Sequence, residues 1–409
     1  MLPFIRNKVV RMNPQTLFYT PHLQDVPNLS NSLNILFMAF RPDQELFNLR
    51  KWDGDILRNS DVGFSGTNMS IVMMAEALSS AGHTVWVGSN SCNEGKVING
   101  VNYISHSDIR DIEGIVDGLV IPTWVNPNMD FKWKRVSKLV LWSHLKLFPR
   151  EGILQRFKAL HPDSKIYYNA ITEYVHTWVH EHHPYYKDYI SKVGHVRNPI
   201  LLDMARDASI KTPHSFVFPA SFVRGGDVAC QVFDGLTFPD KTMTVCSYIG
   251  NDLVENEKYR IQTLGKRKLY ETLAKTEYFV YPGVCSKTTE LTKETDSCCV
   301  AECLLHEVIV VAFKVGALYE NYGDCVVWIP FPTNANIESI QKTGDTFEPE
   351  LCSSEVIKSI QDILYELDSN PQKKSELRRR GKELIMNQRN LQSLKSNFLS
   401  FIDIENNTD

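Results

Sequence analysis

The chain has 409 residues, of which 43% are hydrophobic and 22% charged, and a formal net charge of −4. That length exceeds one ordinary core and suits two domains, while the composition excludes both a disordered chain and a membrane-embedded one. A slightly acidic protein has no general attraction for a polyanion, so no nucleic-acid partner is expected.

Residues 1–33 carry no sustained hydrophobic period, and Met1-Leu2-Pro3-Phe4-Ile5-Arg6 has no apolar core of a secretory signal. Order begins with a buried strand expected over residues 35–40, bounded by Arg41-Pro42. Gly63-Phe64-Ser65-Gly66 then leads into a helix, on which Met69, Val72, Met73, Ala75 and Leu78 recur at helical spacing until Ala81-Gly82. Short apolar runs follow at residues 84–87, 119–121, 139–142, 166–168 and 196–199. The pattern weakens between Asn198 and Pro213, then restarts at residues 215–219, 243–248, 278–281 and 308–313. Beyond Ser353 the chain reads as helical to its end, with Ile357, Ile360, Ile363 and Leu364 on one face.

Buried runs alternating with helical segments predict parallel, doubly wound α/β sheets, built twice in succession. The expected organisation is an irregular segment 1–33, a first domain 34–200, a linker 201–213, a second domain 214–385 and a C-terminal helix 386–409 that packs back on the first domain. Two such domains turn the C-terminal edges of their sheets toward one cleft, where α/β proteins bind ligands. Nine cysteines, an odd number in a long chain, read as reduced thiols of a cytoplasmic protein. No apolar run approaches the roughly 20 residues of a spanning helix, so membrane contact is expected to be peripheral at most.

The most informative stretch is Glu294-Thr295-Asp296-Ser297-Cys298-Cys299-Val300-Ala301-Glu302, followed by an apolar run and Val315-Gly316-Ala317-Leu318. Thr295, Asp296 and Ser297 are each suited to cap a helix, which puts Glu294 in the preceding loop and Glu302 within the helix body. A helix N-terminus facing a cleft offers free N–H groups and a positive dipole end, both suited to a phosphate. Two acids eight positions apart also occur on ordinary surface helices, so the weight falls on what surrounds them.

This stretch resembles the E-x7-E motif of the retaining GT-B glycosyltransferases of family 4, including its downstream strand and Gly-Ala-Leu turn. The resemblance covers most of residues 34–330 with its motifs in order. It implies two Rossmann-like domains and transfer of a sugar from a UDP- or GDP-linked donor to a hydroxyl of a glycan, lipid or protein, with retention. It further implies that Glu294 meets donor-sugar hydroxyls and Glu302 the ribose, with Thr295, Asp296, Ser297 and Cys298 lining the same donor site. Where relatives carry an aromatic-Gly pair after the first acid, this chain has Asp296-Ser297.

Phe218-Pro219-Ala220-Ser221-Phe222-Val223-Arg224-Gly225-Gly226 is similar to the segment whose basic residue binds the donor diphosphate. Ser221, Arg224 and Gly225 are therefore assigned to donor binding, since a guanidinium holds phosphate oxygens through a fork of donors. No second basic residue lies at Ala220-Ser221, and Lys266, Arg267 and Lys268 could take that place only if the fold brings them close. Gly63 and Gly66 resemble the Gly-rich loop of the first domain, where glycine lets backbone approach a ligand. His144, ending the run Leu141-Trp142-Ser143, corresponds to a histidine placed near the donor sugar. His144, Arg224 and Glu294 form the expected catalytic set, with neither a metal nor another cofactor required. An epimerase or inverting transferase would use the same architecture, and a catalytically silent nucleotide-sugar-binding subunit is the reading from another class. His176-x3-His180-Glu181-His182-His183 contains no H-E-x-x-H and reads as a solvated helix end.

Overall fold

The computed structural model describes residues 32–39, 54, 66–89, 95–105, 109, 112, 114–122, 135–205, 210–246, 259–262, 264–284, 294–333, 335 and 349–402. Gly63 and most of residues 1–33 lie outside the described residues. The first half contains β1 (Asn34–Met38), α1 (Gly66–Ser80), β2 (Thr84–Ser89), β3 (Lys96–Ile98), β4 (Val101–Ser105), β5 (Ile115–Ile121) and β6 (Arg135–Ser143). It continues through α2 (Glu151–Leu160), β7 (Lys165–Ala170), α3 (Glu173–His182), α4 (Tyr186–Tyr189) and β8 (Ile190–Gly194).

These strands form one sheet in the order β3-β4-β2-β1-β5-β6-β7-β8. All pairings are parallel except β3–β4, a hairpin whose turn residues Asn99 and Gly100 have φ of 50° and 80°. Asn-Gly is the residue pair such a two-residue turn demands, and it is the signal by which this antiparallel edge could have been found in the sequence. Residues 196–199 are not a strand. The backbone of Val196 is instead held by side chains: its N–H donates to Asn169 Oδ1 at 2.9 Å, and its carbonyl accepts from Trp142 Nε1 at 3.2 Å.

The second half contains β9 (Ser215–Phe218), α5 (Gly226–Gly235), β10 (Thr242–Cys246), β11 (Arg260–Gln262), α6 (Lys266–Lys275), β12 (Tyr278–Tyr281), α7 (Cys298–Leu305), β13 (Ile309–Ala312), α8 (Leu318–Tyr322) and β14 (Val327–Trp328). The second sheet runs β11-β10-β9-β12-β13-β14, all parallel. β9, β12 and β13 are buried at every residue, as strands covered on both faces must be.

The chain ends in α9 (Ser354–Asp368), α10 (Pro371–Gln388) and α11 (Leu391–Ile402). Pro371 stands at the start of α10, where its missing N–H costs nothing, and the Asn370 side chain caps the Lys373 N–H at 2.9 Å. α11 leaves the second half and lies on the first. Phe398 packs its ring 5.5 Å from Trp142 and 6.1 Å from Phe37, and Phe401 sits 5.3 Å from Tyr167. Lys138 and Lys192 donate to the last-turn carbonyls of Ile402 and Ser400 at 2.6 and 2.9 Å, pinning the helix end with cations that suit its dipole. This packing also explains α1, whose residues 68–75 are all buried and not only one stripe. It is covered by the first sheet on one side and α11 on another.

Candidate active site

In each sheet the chain order reverses at one place, between β1 and β5 in the first and between β9 and β12 in the second. Such switch points open a crevice beyond the C-terminal ends of their strands. Arg224 comes from the loop after β9, and Glu294 from the connection after β12, so the two flank the second switch point. They meet there: Arg224 Nη1 donates to Glu294 Oε1, which also accepts from Tyr281 Oη at the end of β12.

Local backbone chemistry sets both groups. The Arg224 N–H donates to the Ser221 carbonyl at 2.9 Å, closing a tight turn, and the half-buried Ser221 side chain caps nothing. Gly225 follows with φ of 105°, and a Cβ there would lie 2.9 Å from the Val284 carbonyl oxygen. Only glycine fits a left-handed residue pressed against the backbone beyond β12. Gly316 has φ of 55° and would place a Cβ 2.2 Å from the Glu294 carbonyl oxygen, the same oxygen that accepts the Ala317 N–H at 2.8 Å. The Val-Gly-Ala turn is thus the clamp on the backbone of the first acid.

Glu294 is 3% exposed, whereas 44% of the Arg224 side chain remains accessible. The carboxylate holds the guanidinium pKa above its ordinary value, against the opposing effect of burial. Glu302 is buried within α7, and its Oε1 accepts from Lys266 and, at 3.0 Å, from Tyr270 Oη. Burial works against the Lys266 ammonium, but the adjoining Glu302 carboxylate outweighs it and the pKa is raised. Of the three basic residues considered from the sequence, the fold brings Lys266 to the acidic motif and leaves Arg267 and Lys268 exposed. Among the described residues no hydrogen bond takes Oε2 of either glutamate, so each has an acceptor oxygen without a partner there.

The remaining members of the predicted set differ in what they can do. Gly66 opens α1 and Cys298 opens α7, and a Cβ on Gly66 would fall 2.9 Å from Cys298 Sγ. The N-termini of a helix from each half therefore meet at the cleft. Ser297 is the N-cap of α7 but its side chain caps no amide, and its carbonyl accepts from Tyr322 Oη at 2.7 Å. Thr295 Oγ1 donates to the His144 carbonyl at 2.7 Å, tying the acidic loop to the end of β6. Burial raises the thiol pKa of Cys298 above its ordinary value and pushes that of Cys299 up to about 12, so both are protonated and unreactive at neutral pH.

Asp296 has no free capacity for a donor. Its carboxylate accepts from Arg389 Nη1 at 2.6 Å, from Arg389 Nη2, from the Asn198 N–H at 3.0 Å and from Asn321 Nδ2 at 3.3 Å. Four donors fill the acceptor positions of a carboxylate. The Asp296 side chain is the hub between the two halves and the α10–α11 turn. Arg389 also donates to the Asn198 carbonyl at 3.0 Å and is 0% exposed. No sequence motif marked Arg389, because its partner lies 93 residues away.

His144 follows β6 with its ring 4.7 Å from Trp142, and neither ring nitrogen has a close hydrogen-bond partner among the described residues. Burial lowers its pKa to about 4, with Asp296 and Asn198 opposing. It is neutral at pH 7, so it can exchange hydrogen bonds but carries no charge. A histidine depressed in the fold contributes stability that is full above its unfolded pKa of about 6.5 and lost as pH falls toward the folded value. Wild-type protein is expected to lose about 3 kcal/mol from this group between pH 6.5 and 4. In urea titrations His144→Gln should remove that part of the acid dependence, and equal slopes in both proteins would refute the burial argument.

Compared with solved structures, the chain resembles sucrose-phosphate synthase from Thermosynechococcus elongatus at a TM-score of 0.56 and 11% identity, over 90% of this chain and 98% of that one. A glycosyltransferase from Rickettsia africae aligns at a TM-score of 0.55 and 12% identity, over 91% and 98%. Anabaena HepE in complex with UDP-glucose aligns at 0.54 and 10%, over 90% and 98%. The chain has the GT-B fold. No protein-family model and no curated protein matches its sequence. The GT-B arrangement accounts for the facing switch points and for a C-terminal helix that returns to the first half. Among the described residues no helix is long and apolar enough to cross a membrane.

Proposed function

We propose that the protein is a glycosyltransferase that moves a sugar from a nucleoside-diphosphate donor to a hydroxyl acceptor, with retention at the anomeric carbon. The observation that carries this reading is the approach of the α1 and α7 N-termini beside the Arg224–Glu294 pair. The positive ends of two helix dipoles and one partly exposed guanidinium suit a diphosphate, the group whose negative charge grows as the glycosidic bond breaks. Arg224 and the α7 amides stabilise the leaving diphosphate without requiring a metal. Glu294 Oε2 accepts from donor-sugar hydroxyls, and Glu302 Oε2 accepts from the ribose. His144, neutral and buried, supports the sugar side of the cleft as a hydrogen-bonding group. The acceptor attacks on the face from which the diphosphate departs, and a departing phosphate oxygen takes its proton.

The test combines donor binding and turnover. In a thermal-shift series, a UDP- or GDP-sugar at 100 times its Kd should add about 2.7 kcal/mol of stability. Glu302→Gln should weaken donor affinity by about 10- to 100-fold, the scale of a lost hydrogen bond to a charged group. Unchanged affinity and turnover would remove Glu302 from the site. NMR of the product distinguishes retention from inversion, and binding without either donor hydrolysis or transfer would mark a silent binding subunit.

A further inference from the structure

A second constellation lies away from the donor cleft. Glu173, in the first turn of α3, places Oε1 3.2 Å from His176 Nδ1 and Oε2 3.1 Å from His195 Nε2. Glu173 and His176 are three positions apart, and so share a helix face. His195 arrives from the segment after β8. One ligand atom from each of the three residues lies within 4.8 Å of the others. His180, His182 and His183 stay outside this group: His182 stacks on Trp178 at 4.3 Å, and His183 bonds Tyr185 Oη at 3.1 Å. Of the histidine-rich run seen in the sequence, His176 alone joins this group, and its histidine partner, His195, comes from outside the run.

We propose that Glu173, His176 and His195 bind one divalent transition-metal ion of the zinc class, with a fourth position open to water. Two imidazole nitrogens and a carboxylate are the donor set of such ions. Tetrahedral ligands at about 2.0–2.1 Å stand roughly 3.3–3.4 Å apart. The two glutamate–imidazole separations are 3.2 and 3.1 Å, through different carboxylate oxygens, and one ligand atom from each residue lies within 4.8 Å of the others. The three side chains are 61%, 23% and 40% exposed, so the ion reaches them from solvent.

The location gives the site a consequence. The N–H groups of Glu173 and Tyr174 each donate at 2.9 Å to the carboxylate of Glu320, which belongs to α8 of the other half. His195 is three residues before Asn198, whose N–H donates to Asp296. A metal would therefore join α3, already held by the second domain, to the segment leading into that domain. It stiffens the hinge between the halves and leaves the donor chemistry to other groups.

The experiment uses the full chain without a histidine tag, freed of metal by chelation. Co2+ should bind one to one and give the visible ligand-field bands of a four-coordinate ion. His176→Ala and His195→Ala should each weaken Zn2+ binding, read by calorimetry, by about 100-fold or more, at least the cost of losing an outer-shell partner. His180→Ala should leave it unchanged. Melting curves in chelator establish that each variant folds, and Glu173→Gln replaces any that does not. A six-coordinate Co2+ spectrum, or binding that survives His195→Ala but is lost in His180→Ala, overturns the proposal. Because the readout is metal binding, failure here leaves the glycosyltransferase reading untouched, and the converse holds.

Discussion

Replacing Arg224 with alanine is expected to lower kcat by about 100- to 1,000-fold, the effect of removing one preorganised donor from a developing anion. The guanidinium is held at one edge by Glu294 and remains 44% accessible, so it is aimed without being consumed. Donor affinity should fall less than turnover if the interaction strengthens as the leaving group gains charge. Arg224→Lys keeps the charge but loses the fork, and should recover only part of the rate. Steady-state kinetics with the donor found by thermal shift measure both constants. A rate for Arg224→Ala within a factor of three of wild type would remove the residue from catalysis.

The second large effect is structural. Arg389→Ala is expected to destabilise the protein by about 3–5 kcal/mol, because it strands the Asp296 carboxylate in the interior. Asp296 would keep the Asn198 and Asn321 donors but lose the only cation that bonds it among the described residues. Arg389→Lys cannot reproduce the two parallel bonds and should fall between wild type and alanine. Pairing Arg389→Met with Asp296→Asn should cost less than the sum of the single changes, since no charge is then left unpaired. Calorimetric melts report each variant. Independent, additive losses would show that the pair is not coupled. Asp296 stands two residues from Glu294, so Arg389→Ala should also weaken the donor site at temperatures where the protein remains folded.

Much of the architecture was legible because it rests on local signals. Residues 278–281 and 308–313 are apolar runs too short for helices, and they became β12 and the buried strand β13 with little shift in their ends. A helix start was expected at Thr295, Asp296 or Ser297, and α7 begins after Ser297, whose side chain caps no amide; Pro371 marked the start of α10. The short strands β8, β11 and β14 escaped notice, since two to five partly exposed residues leave no period to read. In the candidate site, Arg224 and Glu294 were visible as motif residues, and their meeting follows from adjacent strands β9 and β12. Tyr270 and Tyr281 were not singled out. Each looks like an ordinary core aromatic in the sequence, and only its hydroxyl against a glutamate makes it part of the site.

The sequence by itself determined the two α/β halves, the place of the acidic pair after a strand of the second half, and the Arg-Gly turn before it. Hydrophobic period, turn residues and helix starts act over a few positions, and these features depend on nothing else. Only the tertiary structure shows which of these polar groups are saturated by partners within the protein and which keep an acceptor free. Asp296 and Glu294 are two residues apart and chemically alike. One has every acceptor position filled by Arg389, Asn198 and Asn321, while the other keeps an oxygen free beside Arg224. Partners from distant parts of the chain set that difference, because a buried carboxylate must be satisfied by whatever donors the fold carries to it.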